Sequence, residues 1–274
     1  MLILAGAPGF MLPAAGQSPL RFKSLTPAEG LSQASALSIV QDRQGFIWIG
    51  TQNGLNRYDG YQVTVFRPNP DDPHSIIDNY VPLVAAHPDG SIWASSSRGV
   101  FSRYDPVHDR FDRFPIRPDS LAGGNVYKFT ITTRGEIFAL VHGRLFQRSD
   151  SIIGLYPGLP DRLQQETLLR TLTSDRDGRL WVSDTNRTVY RIDPERGITG
   201  TFPLPPLGGN PPPIFNQSGE SRDGRIWLLA HYQLLCRIDP ESGDAHYVIP
   251  APPEDLPFPG GVAIVPHRDH RSCD

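Results

Sequence analysis

Short apolar segments alternate with turn residues along the whole chain, and no long segment has the 3.6-residue periodicity of an amphipathic helix. The first complete unit predicts four strands, at residues 36–40, 46–51, 55–58 and 61–66. In the second of these strands, Phe46 and Trp48 lie on one side. Ile47 and Ile49 lie on the other side. Since both faces are apolar, we expect this sheet to be covered on both sides.

The same unit recurs every 43 to 46 residues, and its first marker is a turn glycine followed three residues later by a large aromatic ring. The glycines are Gly45, Gly90, Gly135, Gly178 and Gly224. The rings are Trp48, Trp93, Phe138, Trp181 and Trp227, which include all four tryptophans of the chain. We expect these rings to be largely buried anchors between neighbouring sheets. Stacking on a carbohydrate is the alternative use of such a ring.

A second marker is Arg-x-Asp, whose aspartate follows each ring by 11 or 12 residues, and it predicts the end of a strand and a turn. Its aspartates are Asp59, Asp105, Asp150, Asp193 and Asp239. Four strands per unit, repeated radially, predict an all-β fold, a β-propeller of four-stranded antiparallel blades. Five complete blades are expected at about residues 36–80, 81–125, 126–168, 169–214 and 215–261, with the start of a sixth at 262–274.

Composition agrees with this fold and narrows the function classes. The chain has 26 Gly and 28 Pro without a collagen-like period. The formal net charge of −3, with no cluster of basic residues, argues against a nucleic-acid partner. Cys236 and Cys273 provide neither a disulfide framework nor a metal quartet, and Cys236 is expected to be a small buried hydrophobe. No metal site and no cofactor are predicted.

The first sixteen residues are apolar and end in small side chains, which is typical of a secretory signal peptide or hydrophobic leader. The propeller is therefore assigned to residues 17–274. A periplasmic or otherwise extracytoplasmic location is expected.

Residues 30–60, GLSQASALSIVQDRQGFIWIGTQNGLNRYDG, closely resemble the two-component regulator propeller repeat. The resemblance extends with weaker units over about residues 20–270. It implies a non-enzymatic, extracytoplasmic sensor whose output module is a histidine kinase or a diguanylate cyclase. Family members usually have seven blades, so the chain is expected to be a truncated propeller without its output module, with a tendency to self-associate.

A binding site is expected where the loops between the second and third strands of each blade meet the segments that link blades. The candidate ligand-binding residues are Asp78, Asn79, Arg98, Asn125, His142, Glu166, Arg187 and His231. These polar side chains would suit a hydroxylated or anionic ligand. Solvated loop residues are the alternative interpretation.

No catalytic residues are predicted, because the common nucleophile, metalloprotease and phosphate-binding motifs do not occur. The expected partners are an oligosaccharide or another small polar ligand, the remaining blades and membrane-bound output module of full-length relatives, and a second copy of the chain in a homodimer. Two other functions stay open. One is a propeller enzyme that acts on polysaccharide, as a lyase or glycosidase, and the other is a protein-interaction scaffold.

Overall fold

The computed structural model describes residues 24–117, 126, 128–165, 168–206, 214–230 and 234–248. In this part of the chain, strands dominate, and the helices are the 3-10 turn Pro27–Glu29 and the short helix α1, Asp161–Gln165. The predicted leader and the start of the sixth unit lie outside the described residues.

Within the described ranges, twenty strands form five four-stranded antiparallel sheets, and each sheet is one blade in simple chain order. Blade one contains β1 (Ser38–Gln41), β2 (Ile47–Thr51), β3 (Gly54–Tyr58) and β4 (Val63–Phe66). Blade two contains β5 (Val84–Ala86), β6 (Ile92–Ala94), β7 (Val100–Asp105) and β8 (Arg110–Pro115). Blade three contains β9 (Lys128–Ile131), β10 (Ile137–Val141), β11 (Arg144–Ser149) and β12 (Ile152–Leu155).

Blade four contains β13 (Leu169–Ser174), β14 (Leu180–Asp184), β15 (Thr188–Asp193) and β16 (Gly197–Pro203). Blade five contains β17 (Phe215–Glu220), β18 (Ile226–Ala230), β19 (Leu234–Ile238) and β20 (Ala245–Val248). The first strands of successive blades adjoin one another, from β1 through β5, β9 and β13 to β17. This arrangement confirms the predicted propeller class and the predicted number of blades.

The repeated aromatic ring anchors each blade to the next one. Trp48 packs in one apolar cluster with Ile92 and Tyr104 of blade two. Trp181 packs in the same way with Ile226 and Cys236 of blade five. Trp48, Trp93, Phe138 and Trp181 are almost completely buried, whereas Trp227 is only partly buried. Since each earlier ring faces the following blade, Trp227 faces a side on which the described residues form no further blade.

In blades one, four and five, the residue six positions before the ring accepts the indole N–H. Asp42 accepts the Trp48 indole N–H at 2.7 Å, and its other oxygen accepts the main-chain N–H of Phe46 at 3.0 Å. In blade four Asp175 accepts the Trp181 indole N–H at 2.9 Å. The turn glycines have the positive φ that this turn requires, 93° at Gly45 for example.

The segments that link blades meet the turns between second and third strands on one side of the propeller, here called the linker face. In blade one the Gly54 N–H donates to the main-chain oxygen of Asn79 at 2.7 Å. The Val81 N–H donates to the Thr51 oxygen at 2.8 Å. The Leu204 N–H donates to the Arg187 oxygen at 2.9 Å in blade four. The predicted ligand-binding loops are therefore adjacent and held by main-chain hydrogen bonds.

Candidate functional site

Five of the eight predicted site residues are described, and all five lie on the linker face. They are Asp78, Asn79, Arg98, His142 and Arg187. Asn125, Glu166 and His231 lie outside the described residues. Among the five, no side-chain hydrogen bond or ion pair joins one candidate to another. They are therefore spread over the linker face and do not form one cluster.

Asp78 positions a turn of blade two. Its side chain is buried, and its Oδ2 accepts hydrogen bonds from the Ser97 N–H at 3.2 Å and from the Ser97 hydroxyl. The carboxylate therefore fixes the turn between β6 and β7, next to Arg98. Its Oδ1 accepts the Tyr80 N–H at 3.3 Å, so both carboxylate oxygens have partners within the chain.

The other candidates are less buried than Asp78, and two of them have an unusual backbone conformation. His142 and Arg187 occupy equivalent turns of blades three and four and have positive φ values of 49° and 61°. This left-handed conformation is uncommon for residues with a side chain. His142 and Asn79 are exposed, whereas Arg187 is partly buried.

Arg98 borders a cavity of about 270 Å³ between blade two and the segment that links β4 to β5. The cavity, here called the Arg98 cavity, is lined by Pro68, Asn69, Pro70, Ile77, Arg98 and Arg113. Arg113 is fixed by hydrogen bonds from Nε and Nη2 to the main-chain oxygen of Ser75, at 3.3 and 3.0 Å. Arg98 is exposed, and no residue of the described chain pairs with its guanidinium. The cavity thus combines an apolar wall with one fixed and one available cation.

The segment over this cavity is ordered by its own side chains. The Ser75 hydroxyl bonds to the main-chain oxygens of Asn69 and Asp72, at 3.0 and 2.8 Å. The Phe111 N–H donates to the His74 oxygen at 2.8 Å, which ties the segment to β8. A second cavity of about 220 Å³ lies beside the same segment and is lined in part by Asp72, His74 and Asp109. A segment held in this way preorganises a binding surface.

The sequence predicted Arg98 but missed Arg113 and the prolines that complete the cavity. In the sequence, Pro68 and Pro70 belong to a proline-rich loop after the first unit, which does not indicate a binding role. Arg113 lies on β8, Arg110–Pro115, where the pattern of two phenylalanines among polar residues gives no sign of a binding role. The contact that identifies Arg113 is its hydrogen bond to Ser75, which joins the fourth strand of blade two to the segment that enters the same blade. This contact is seen in the structure and not in the sequence.

Neither a metal centre nor a membrane span emerges from the described residues. No group of three or more His, Cys, Asp or Glu side chains in those ranges could hold a metal ion. Within the same ranges, no helix is long and apolar enough to cross a membrane.

Comparison with known sequences gives two matches. Residues 30–53 match the family described as two component regulator propeller. A stretch of 55 residues, 20% of the chain, is 51% identical to histidine kinase P4 of Formosa agariphila. That stretch covers 4% of the kinase, so the chain matches only a small part of this relative's length.

Comparison with solved structures gives, among other chains, lyases and extracellular domains of signalling systems. Virginiamycin B lyase from Staphylococcus aureus matches with a TM-score of 0.62 and 19% identity, over 82% of this chain and 71% of the lyase. The extracellular domain of a one component system from B. thetaiotaomicron also matches with a TM-score of 0.62, at 18% identity, over 85% of this chain. The matched region is about a third, 34%, of that domain's chain. At these identities the likeness shows the fold alone.

Proposed function

We propose, from the premise that the chain carries the two component regulator propeller repeat, that it is a ligand-sensing propeller segment of a two-component-type receptor. The match at residues 30–53 carries this proposal. The identity to a histidine kinase supports the same signalling class. The output module, a kinase or a cyclase, would belong to the full-length receptor.

The Arg98 cavity is the proposed ligand site. Pro68, Pro70 and Ile77 offer apolar surface for one face of a small ring. Arg98 can donate several hydrogen bonds to hydroxyl or anionic oxygens, because no described residue occupies its guanidinium. An oligosaccharide or another small polar ligand fits this combination of an apolar wall and available donors.

The proposed location is extracytoplasmic. The propeller neighbours from B. thetaiotaomicron are extracellular domains of one component and two component systems. The apolar, small-residue character of residues 1–16 supports export as well. We propose that ligand binding outside the cytoplasm is the event that the receptor reports.

We propose that the propeller binds its ligand without converting it. The likeness to virginiamycin B lyase makes an enzyme the second candidate, but at 19% identity it supplies a fold and no chemistry. The Arg98 cavity contains two arginines, one amide and apolar residues, and arginine remains protonated and is a poor general base.

The test is calorimetric titration of the full chain with a panel of neutral and acidic oligosaccharides. Binding by the wild-type chain should be weakened by Arg98→Ala. It should be unchanged by Arg43→Ala. Arg43 is also exposed, but it lies on the β1–β2 turn, at the end of the blade opposite to the linker face. Equal weakening by both variants would reject the Arg98 cavity, and product formation from any bound oligosaccharide would favour the lyase-type alternative.

A further inference from the structure

Lys128 crosses the inner edge of the propeller from blade three to blade five. It begins β9, and its ammonium group donates a hydrogen bond to the main-chain oxygen of Asn216 in β17. The side chain therefore passes the first strand of blade four, β13. Burial lowers the pKa of the Lys128 amine, and no carboxylate of the described chain offsets this effect. The charge of Lys128 is thus partly buried without an anionic partner in that part of the chain.

Lys128 and Ser218 approach blade four from opposite sides. Lys128 shares one face of β9 with Thr130, whose hydroxyl lies 2.9 Å from the Ser174 hydroxyl of blade four. Ser218 shares one face of β17 with Glu220, which accepts the main-chain N–H of Arg176 of blade four at 2.8 Å. Both side chains therefore point towards the first strand of blade four.

The first strands of blades four and five, β13 and β17, each contain a β-bulge at the equivalent position. The register of β13 shifts between Leu169 and Thr171, so Arg170 is the extra residue. The register of β17 shifts between Phe215 and Gln217, so Asn216 is the extra residue. A bulge redirects a side chain and removes main-chain groups from the ladder. This explains why the Asn216 oxygen is available to Lys128.

Two further donors at this place lack a partner. Arg170 Nε and Ser218 Oγ are buried, and neither atom has a hydrogen-bond partner among the described residues. A buried donor without an acceptor, and above all a buried cation without a counter-charge, destabilises the fold. Lys128 and Arg170 thus bring two positive charges to the first strands of blades three and four, and Ser218 brings one hydroxyl to the first strand of blade five. The Asn216 oxygen is the described acceptor of Lys128 alone.

We propose that Lys128, Arg170 and Ser218 form an oxyanion-binding site at the inner end of blade four. Its ligand is a carboxylate, sulfate or phosphate group, whose several oxygens accept from the ammonium, the guanidinium and the hydroxyl together. The site is separate from the Arg98 cavity, which lies between blade two and the segment that links β4 to β5. It does not depend on the sensor function proposed above.

The test uses the full chain and inorganic sulfate as the probe. Calorimetric titration with sodium sulfate, at an ionic strength held constant with sodium chloride, should show binding by the wild-type chain. Lys128→Met and Arg170→Gln should each weaken sulfate binding by at least about tenfold, the usual effect of losing a hydrogen bond from a charged group. Lys128→Arg should retain binding, and Arg43→Ala, at an exposed turn of blade one, should leave it unchanged.

Thermal melting without sulfate checks that the variants fold and separates the site from a purely structural contact. Lys128→Met should melt at or above the wild-type temperature, because it removes a buried charge that has no anionic partner in the described chain. A lower melting temperature together with unchanged sulfate binding would assign Lys128 to structure alone. Absence of sulfate binding by the folded wild-type chain, or equal binding by wild type and both variants, would overturn the proposal.

Discussion

The guanidinium of Arg57 lies over the ring of Trp48, with its carbon 5.7 Å from the ring centroid. The two residues are direct partners across β2 and β3. Arg57 also donates to the Tyr104 hydroxyl of blade two at 3.0 Å. In blade four Arg191 lies over Trp181 at 5.8 Å and donates to the Pro240 oxygen of blade five at 3.1 Å. In blades one and four, the ring and the arginine of the two sequence markers therefore stack on each other, and the arginine also bonds to the next blade.

We expect Arg57→Lys to destabilise the fold although it preserves the charge. A lysine ammonium cannot both stack flat over Trp48 and reach Tyr104, so the expected loss is about 1–2 kcal/mol in the free energy of unfolding. Urea denaturation measures this loss, and Arg43→Lys is the control because Arg43 is exposed. Equal denaturation midpoints for the two variants would contradict the role of Arg57.

Trp181→Ala should be much more damaging than Arg98→Ala. Trp181 is completely buried between blades four and five, so its truncation should cost about 3–5 kcal/mol. Arg98 is exposed, and its truncation should change stability by no more than about 0.5 kcal/mol. Chemical denaturation of both variants tests the division between core and ligand face, and comparable midpoints would refute it.

Asp89 should give the fold part of its sensitivity to acid. Burial acts to raise the pKa of its carboxyl, but hydrogen bonds from Ser91 and the attraction of His87 outweigh burial and lower the pKa to about 2. A carboxyl with a lowered pKa stabilises the fold above its ordinary value of 3.8, and this contribution is lost as the pH falls through about 2. The Asp89 side chain is 43% exposed, so solvent screening limits the contribution to less than about 1 kcal/mol.

The measurement is the melting temperature of the wild type and of Asp89→Asn between about pH 5 and pH 2. The wild type should be the more stable at about pH 5, and the difference should shrink towards pH 2. Asp71→Asn, at an exposed position, is the control. A difference between wild type and Asp89→Asn that stays constant with pH would contradict the assignment.

Cys236 should be unreactive in the folded chain. Burial raises the pKa of its thiol to about 12, so almost no thiolate exists near neutral pH. In a Cys273→Ser background, a thiol reagent at pH 8 should label no cysteine in the native state and one in urea. Rapid native labelling would show that the contact between blades four and five opens.

The sequence predicts the fold closely because the repeat is local. The four strands predicted in blade one agree with β1 to β4 within two residues at each end, and the buried cysteine is confirmed. The site is less predictable because it depends on distant segments. Arg98 acquires its cavity from the segment before β5, and Asp78 is used to hold Ser97. The reach of Lys128 to Asn216 depends on a bulge that no single-residue pattern reveals.

Hydrogen–deuterium exchange of the full chain, with and without an oligosaccharide found by titration, tests the central claim most directly. A ligand in the Arg98 cavity should slow exchange in residues 67–83 and in the β6–β7 turn, because both border the cavity. The equivalent turn of blade four, at residues 185–187, should remain unchanged. Protection confined to other blades, or conversion of the oligosaccharide to product during the experiment, would contradict a sensor that binds its ligand at this site.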